Sequence, residues 1–269
     1  MRPGIRQARV ATLSTVAIPL LALAALTACT GGTSAPDASG TLPQGDDEVE
    51  LDPADFTVDI DNPYWPMLPG TRWTYRELDP VDGEVTVVVT VTSETRTIAN
   101  GIEALVVRDT VSRGSELIED TFDWYAQDSD GAIWYLGEDT AEFEHGEIVS
   151  RDGSFEAGVD GALPGIAIPA DPAPGMAYRQ EYYAGEAEDS GAVLSVTELV
   201  EVPYGSFTDA LLTRDTNALE PDVAEYKLYA PGVGPVLTLD VAGGAGREEL
   251  VDVTTVPDGT ATGPLGSPD

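Results

Sequence analysis

The chain has 269 residues, 48 of them Asp or Glu against 13 Lys or Arg, for a formal charge of −35. Charge of that sign repels nucleic acid and anionic lipid headgroups, so neither is expected as a direct partner. One cysteine cannot close an intramolecular disulfide and one histidine cannot build a multi-histidine metal site, while 42% apolar residues and ten tyrosines mark most of the chain as globular.

Arg2, Arg6 and Arg9 give the chain a basic start, Ala11 to Ala28 is apolar, and Leu26-Thr27-Ala28-Cys29 closes the run. Small residues before a cleavage point mark a secretory signal. The run is too short, and too interrupted by Ser14 and Pro19, for a membrane-spanning helix of about 20 apolar residues. Leu26-Thr27-Ala28-Cys29 resembles the lipobox of bacterial lipoproteins. The resemblance implies that residues 1–28 are removed and that the Cys29 thiol carries a diacylglyceryl group, palmitate being a typical acyl chain. The protein is then held at the extracytoplasmic face of the cell membrane, its membrane partner being reached through that lipid. From residue 29 to about 60 the chain is rich in Gly, Ser, Thr, Pro and Asp, with no basic residue between Arg9 and Arg72. Such a stretch is expected to be an acidic, disordered tether.

Residues 61–256 read as a β domain. Val85, Val87, Val89 and Val91 alternate with Thr86, Val88, Thr90 and Thr92, and this period of two predicts a strand. Similar runs cover Ile102–Val111, Leu117–Ala126, Ala132–Leu136, Val193–Val202, Ala210–Thr216, Ala224–Ala230 and Val236–Val241, separated by turns such as Asn100-Gly101 and Asp130-Gly131. No stretch of ten residues after the leader has helical periodicity. The pattern predicts an all-β, antiparallel, strongly curved sheet or open barrel. Gly158 to Gly175 lacks a regular pattern and is expected to be a linker or a flap over the sheet, and residues 257–269 a disordered tail.

Three blocks recur in the same order. Pro69-Gly70-Thr71-Arg72-Trp73 returns as Pro174-Gly175-Met176-Ala177-Tyr178, Arg108-Asp109-Thr110 as Arg214-Asp215-Thr216, and Phe122-x-Trp124-Tyr125-Ala126 as Tyr226-x-Leu228-Tyr229-Ala230. A Gly-containing turn and an apolar strand follow each time, Gly131–Trp134 and Gly234–Leu237. The sheet is therefore expected to consist of two similar halves, at about 69–139 and 174–241. The Pro69–Tyr75 opening and the late Tyr229-Ala230-Pro231-Gly232-Val233-Gly234 segment resemble an uncharacterised family of β-rich bacterial secreted lipoproteins. That resemblance covers roughly residues 60–255. It implies an exported, sheet-rich domain and supplies no catalytic residue.

Several side chains are candidates for chemistry. Asp128-Ser129-Asp130-Gly131 has the opening of many calcium loops, making Asp128 and Asp130 candidate ligands. It equally suits a hairpin turn, and Asp139 stands where an EF-hand loop has Glu. No other cofactor is expected. Trp124 and Trp134 flank this turn and either stack on a ligand or fill the core. His145, the only imidazole, has Asp139 and Asp152 as possible orienting partners but no nucleophile-elbow motif. Paired acids abound, Glu119 with Asp120 and Asp123, Glu138 with Asp139, and Glu186 with Glu188 and Asp189. A glycosidase needs two of them with opposed environments. The balance favours a non-enzymatic binding or envelope-associated module with no catalytic residue, recognising a wall polymer or a lipid. A carboxylate-pair glycoside hydrolase and a lipid carrier with an apolar interior are the alternatives. Mass spectrometry of membrane-derived protein is expected to find an acylated peptide beginning at Cys29, and Cys29→Ser to release the protein from the membrane.

Overall fold

The computed structural model describes residues 42–79 and 83–267; the expected leader (residues 1–28) and Cys29 lie outside them. Its strands are β1 (Phe56–Thr57), β2 (Thr71–Asp79), β3 (Gly83–Thr97), β4 (Glu103–Arg113), β5 (Glu116–Asp128), β6 (Ile133–Glu144), β7 (Glu147–Ser150) and β8 (Phe155–Glu156). They continue with β9 (Leu163–Ile168), β10 (Ala177–Arg179), β11 (Glu181–Tyr182), β12 (Asp189–Val202), β13 (Gly205–Asn217), β14 (Ala224–Ala230), β15 (Gly234–Ala242) and β16 (Arg247–Thr255). All pair antiparallel in one sheet of order β10-β12-β13-β14-β15-β16-β2-β3-β4-β5-β6-β9-β11, with β1, β7 and β8 added at the side. The sheet curves until it nearly closes into a barrel.

The two halves run the same meander in the same register. Leu105 lies opposite Tyr125, Arg108 opposite Phe122 and Asp109 opposite Thr121; Leu211 lies opposite Tyr229, Arg214 opposite Tyr226 and Asp215 opposite Glu225. The Pro-Gly turns correspond as well. Gly70 N–H donates to the Val91 carbonyl at 2.8 Å, and Gly175 N–H to that of Val193 at 2.9 Å. The last block aligns differently from its sequence. Trp134 faces Ala126, whereas Gly234 faces Ala230. The first hairpin runs on to a turn at Asp128–Ala132, while the second turns at once through 231–233.

Closure depends on one short segment. Ala177–Arg179 pairs with β12 and, past Gln180, Glu181–Tyr182 pairs with β9, so six consecutive residues join the two ends of the sheet. The stretch from Gly158 to Gly175 is thus neither linker nor flap: β9 within it is a wall strand between β6 and β11. A Cβ on Gly165 of β9 would stand 2.2 Å from the Gln180 carbonyl group, so glycine is what lets the backbones meet. Arg179 fastens the join from outside. Its guanidinium donates to Pro164 O at 2.8 and 3.0 Å and to Gly45 O and Asp47 O at 2.7 Å each.

Both segments expected to be disordered are in part built into the fold. Residues 42–60 lie along the barrel, held by Arg179 and by Leu42, Val49 and Leu51 against the core. At the other end, Arg108 points outward, pairs with Asp120 at 2.8 and 2.6 Å, and donates to the carbonyls of Ala261, Gly263 and Pro264. Gly266 N–H donates to Asp120 at 2.7 Å. Composition predicts disorder when a segment offers no apolar surface, but backbone carbonyls facing a buried guanidinium are gripped whatever their side chains. Replacing Gly165 by Ala is expected to destabilise the protein by about 1–3 kcal/mol in urea unfolding, with faster hydrogen exchange concentrated in β9 and β11.

Candidate functional site

Strand alternation sends the two Asp residues of the repeated Arg-Asp-Thr block inward and the two Arg residues outward. Within the barrel the apolar layer comprises Val85, Val87, Val89, Val91, Trp73 and the tyrosines. Trp65 seals it, its ring 5.3 Å from Tyr125 and 6.2 Å from Tyr229. Tyr75 Oη donates to Pro235 O at 3.0 Å and Trp73 Nε1 to Val233 O at 2.8 Å. Beside this layer lies a buried polar layer to which both halves contribute.

In the second half Asp215 meets Lys227, one step along the neighbouring strand. Lys227 Nζ stands 3.0 Å from Asp215 Oδ2 and 3.6 Å from Glu225 Oε2, with the lysine side chain 2% exposed. Burial alone would pull the Lys227 pKa down; the Asp215 and Glu225 carboxylates outweigh it and raise it, so the ammonium persists. Gln180 Nε2 donates to the same Asp215 oxygen at 3.2 Å.

The first half has Asp109 where the second has Asp215, and Asp123 where it has Lys227. Glu138 joins them through a bulge. Strict alternation would put Glu138 outside, opposite in sense to Tyr135, but β6 shifts register between its pairings with Asp123 and Tyr125, so both point inward. Gly137 makes the bulge possible: its φ is +136°, and a Cβ there would stand 2.3 Å from Phe155 O. Tyr135 Oη consequently sits 2.8 Å from Asp123 Oδ1 and 2.7 Å from Glu138 Oε2. Burial first, then the Glu138 and Asp109 carboxylates, push the Asp123 pKa well above the usual carboxylate range. Burial, followed by the Asp123 and Glu138 carboxylates, raises the Tyr135 hydroxyl. Asp123 Oδ2 and the Tyr125, Tyr178 and Asp215 Oδ1 oxygens have no hydrogen-bond partner.

The other candidates are placed elsewhere. Asp128 Oδ1 accepts the N–H groups of Asp130, Gly131 and Ala132, and Oδ2 accepts Trp134 Nε1 at 2.7 Å. Both oxygens are thus engaged in closing a hairpin turn. Among the described residues no group of three or more His, Cys, Asp or Glu is placed to hold a metal ion. Trp124 and Trp134 are buried on the outer face, Trp124 under the Arg96 guanidinium at 4.1 Å and Trp134 edge-on to Phe56. Neither is open to a ligand in this arrangement. His145 projects from the β6–β7 turn, its side chain 96% exposed and 3.5 Å from Glu116. Asp139 pairs with Arg151, Asp120 with Arg108, and Glu188 accepts Gly185 N–H. Sequence neighbours such as Glu138 and Asp139 therefore separate, while Asp123 and Glu138 come together across strands. Tyr135 and Lys227 escaped the sequence reading as members of a site. The signal was present in the Asp215/Asp109 and Lys227/Asp123 correspondence of the repeats.

No protein-family model matches the chain, and no curated protein sequence does. Two crystal structures are similar in outline. One is of a Bacteroides fragilis protein described as exported and of YmcC-like fold (TM-score 0.46, 14% identity, 71% of this chain and 98% of that one). The other is of a Parabacteroides distasonis protein described as a lipoprotein (TM-score 0.39, 13% identity, with the same coverage). Lys227→Met is expected to lower stability by about 3–5 kcal/mol, because it strands the Asp215 charge. Adding Asp215→Asn should recover much of the loss in urea unfolding.

Proposed function

We propose that the protein is an extracytoplasmic lipoprotein, held to the membrane through Cys29, whose barrel acts as a non-enzymatic binding or envelope-associated module. The lipobox-like Leu26–Cys29 supports the attachment. The reading of the barrel rests on its interior. Trp65, Trp73, Tyr75, Tyr125, Tyr135, Tyr178 and Tyr229 fill the inward face, which disfavours a carrier that must house an acyl chain. Recognition then falls to the outer surface, with a cell-wall polymer as the expected partner class.

One observation favours a hydrolase as the second reading. Asp123 and Glu138 are separated by no more than two hydrogen bonds laid end to end, which suits a retaining pair about 5–5.5 Å apart. The same observation weighs against it more heavily. The Tyr135 hydroxyl occupies the space between the carboxyls where a glycosidic oxygen would have to enter, and all three groups are buried.

The lipid-free Cys29→Ser protein is expected to show no turnover of polysaccharides or aryl glycosides between mildly acidic and neutral pH. It is expected to co-sediment saturably with purified cell wall. Turnover abolished by Asp123→Asn would replace this reading by the hydrolase, and the absence of both turnover and wall binding would remove the wall polymer as partner.

A further inference from the structure

We infer that Arg108 and Asp120 form a peptide-binding site on the outer face of β4 and β5, and that residues 261–266 are a separable ligand of it, held there by their own chain. This goes beyond the binding role proposed above and does not depend on it.

The site is built into the barrel wall. Arg108 is 1% and Asp120 0% exposed, and the guanidinium lies 4.7 Å from the centre of the Phe122 ring. A guanidinium carries five N–H donors in a fixed fork. Two of them, on Nε and Nη2, go to Asp120. The other three leave the barrel: Nη1 donates to Ala261 O at 3.2 Å and Gly263 O at 2.8 Å, and Nη2 to Pro264 O at 3.0 Å. Asp120 Oδ2 accepts Gly266 N–H at 2.7 Å. One ion pair thus reads three carbonyls and an amide of a passing chain, through charge-assisted bonds that are stronger than neutral ones. Recognition is of backbone, and the demand on side chains is for space. A Cβ on Gly266, whose φ is +84°, would stand 3.0 Å from the Phe143 ring.

The segment is attached by this clamp and little else. Pairing of β16 with β2 ends at Thr255 and Thr71, and Val256 N–H donates to Gly70 O at 2.8 Å. Beyond that point, among the described residues, every hydrogen bond joining residues 257–267 to the barrel ends on Arg108 or Asp120. The rest are internal. Thr260 donates to Pro257 O through N–H and Oγ1, Thr262 Oγ1 to Gly259 O, and Ser267 N–H to Pro264 O. These turns give the segment a shape of its own, which lowers the entropy lost on binding. Ala261 is buried but, like Phe143, stands outside the apolar core of the barrel.

The second half shows the same wall without such a cover. Arg214 has the register of Arg108 and is exposed, yet β13 and β14 pair without interruption from Leu211–Tyr229 to Thr216–Ala224. A wall of this kind therefore forms with its outer arginine bare. In the intact chain the tether supplies the segment at an effective concentration of about millimolar, so the site is filled from within.

A protease recognition sequence inserted between Val256 and Pro257 lets the full chain fold before the segment is cut free. The cut barrel is expected to keep its cooperative urea transition and to bind a fluorescently labelled peptide of residues 257–269, saturably and one to one, in exchange for the released fragment. N-methylation of Gly266 in the peptide removes the hydrogen that Asp120 accepts and leaves the protein untouched. It should weaken binding on the order of tenfold or more. The uncut protein, its site already filled, should bind the peptide at least about a hundredfold more weakly than the cut one. Loss of the cooperative transition on cutting would make residues 257–267 part of the core and overturn the inference. So would a folded, cut barrel that leaves the peptide unbound, an N-methylated peptide that binds as well as the native one, or equal binding by cut and uncut protein.

Discussion

A single sheet that turns back on itself must join its two free edges, and here six residues carry that task. Each edge strand would otherwise expose a row of unpaired backbone groups, so everything inside the barrel relies on Ala177–Tyr182 reaching both. The join is narrow. It depends on the missing side chain of Gly165 and on a guanidinium that spends its donors on carbonyls from β9 and from the N-terminal segment. Residues 45–47 are consequently part of the closure and not merely a connection to it.

The second constraint is charge. Several acids of this strongly acidic chain are buried in the fold, and three devices make this tolerable. Asp120 receives an arginine, Asp215 a lysine, and Asp123 and Glu138 a tyrosine hydroxyl set between them. The duplicated scaffold shows how such devices diverge on one backbone. Arg108 and Arg214 have the same register, but only Arg108 is buried, because the C-terminal segment covers it. Equivalent positions thus became a clamp in one half and an exposed side chain in the other.

Most of the architecture was legible in the sequence because the strands that form the apolar layer alternate cleanly. The valines of β3 and the repeated blocks on β4, β5, β13 and β14 all lie as their periodicity predicts. β16 was hidden because its inward residues include Glu248, so a charged side chain stands where alternation calls for an apolar one. β9 was hidden by Pro164 and Gly165, which read as loop residues yet serve a carbonyl and a close approach at the closure. The site was half legible. Asp123 and Glu138 stood out as acids, but grouping them with their chain neighbours failed, since partners in a sheet lie across strands and a single bulge at Gly137 changes which face a residue joins. A bulge leaves no mark in the sequence beyond a glycine.

Lys227 is the only lysine of the chain, and it lies inside the barrel. The folded surface therefore offers no side-chain amine to acylating, glycating or aldehyde reagents. That nucleophile becomes reachable only when the wall between β13 and β15 parts, so the rate of its chemical modification measures how often the barrel opens. The fold in this way shields its one side-chain amine for as long as the barrel stays closed.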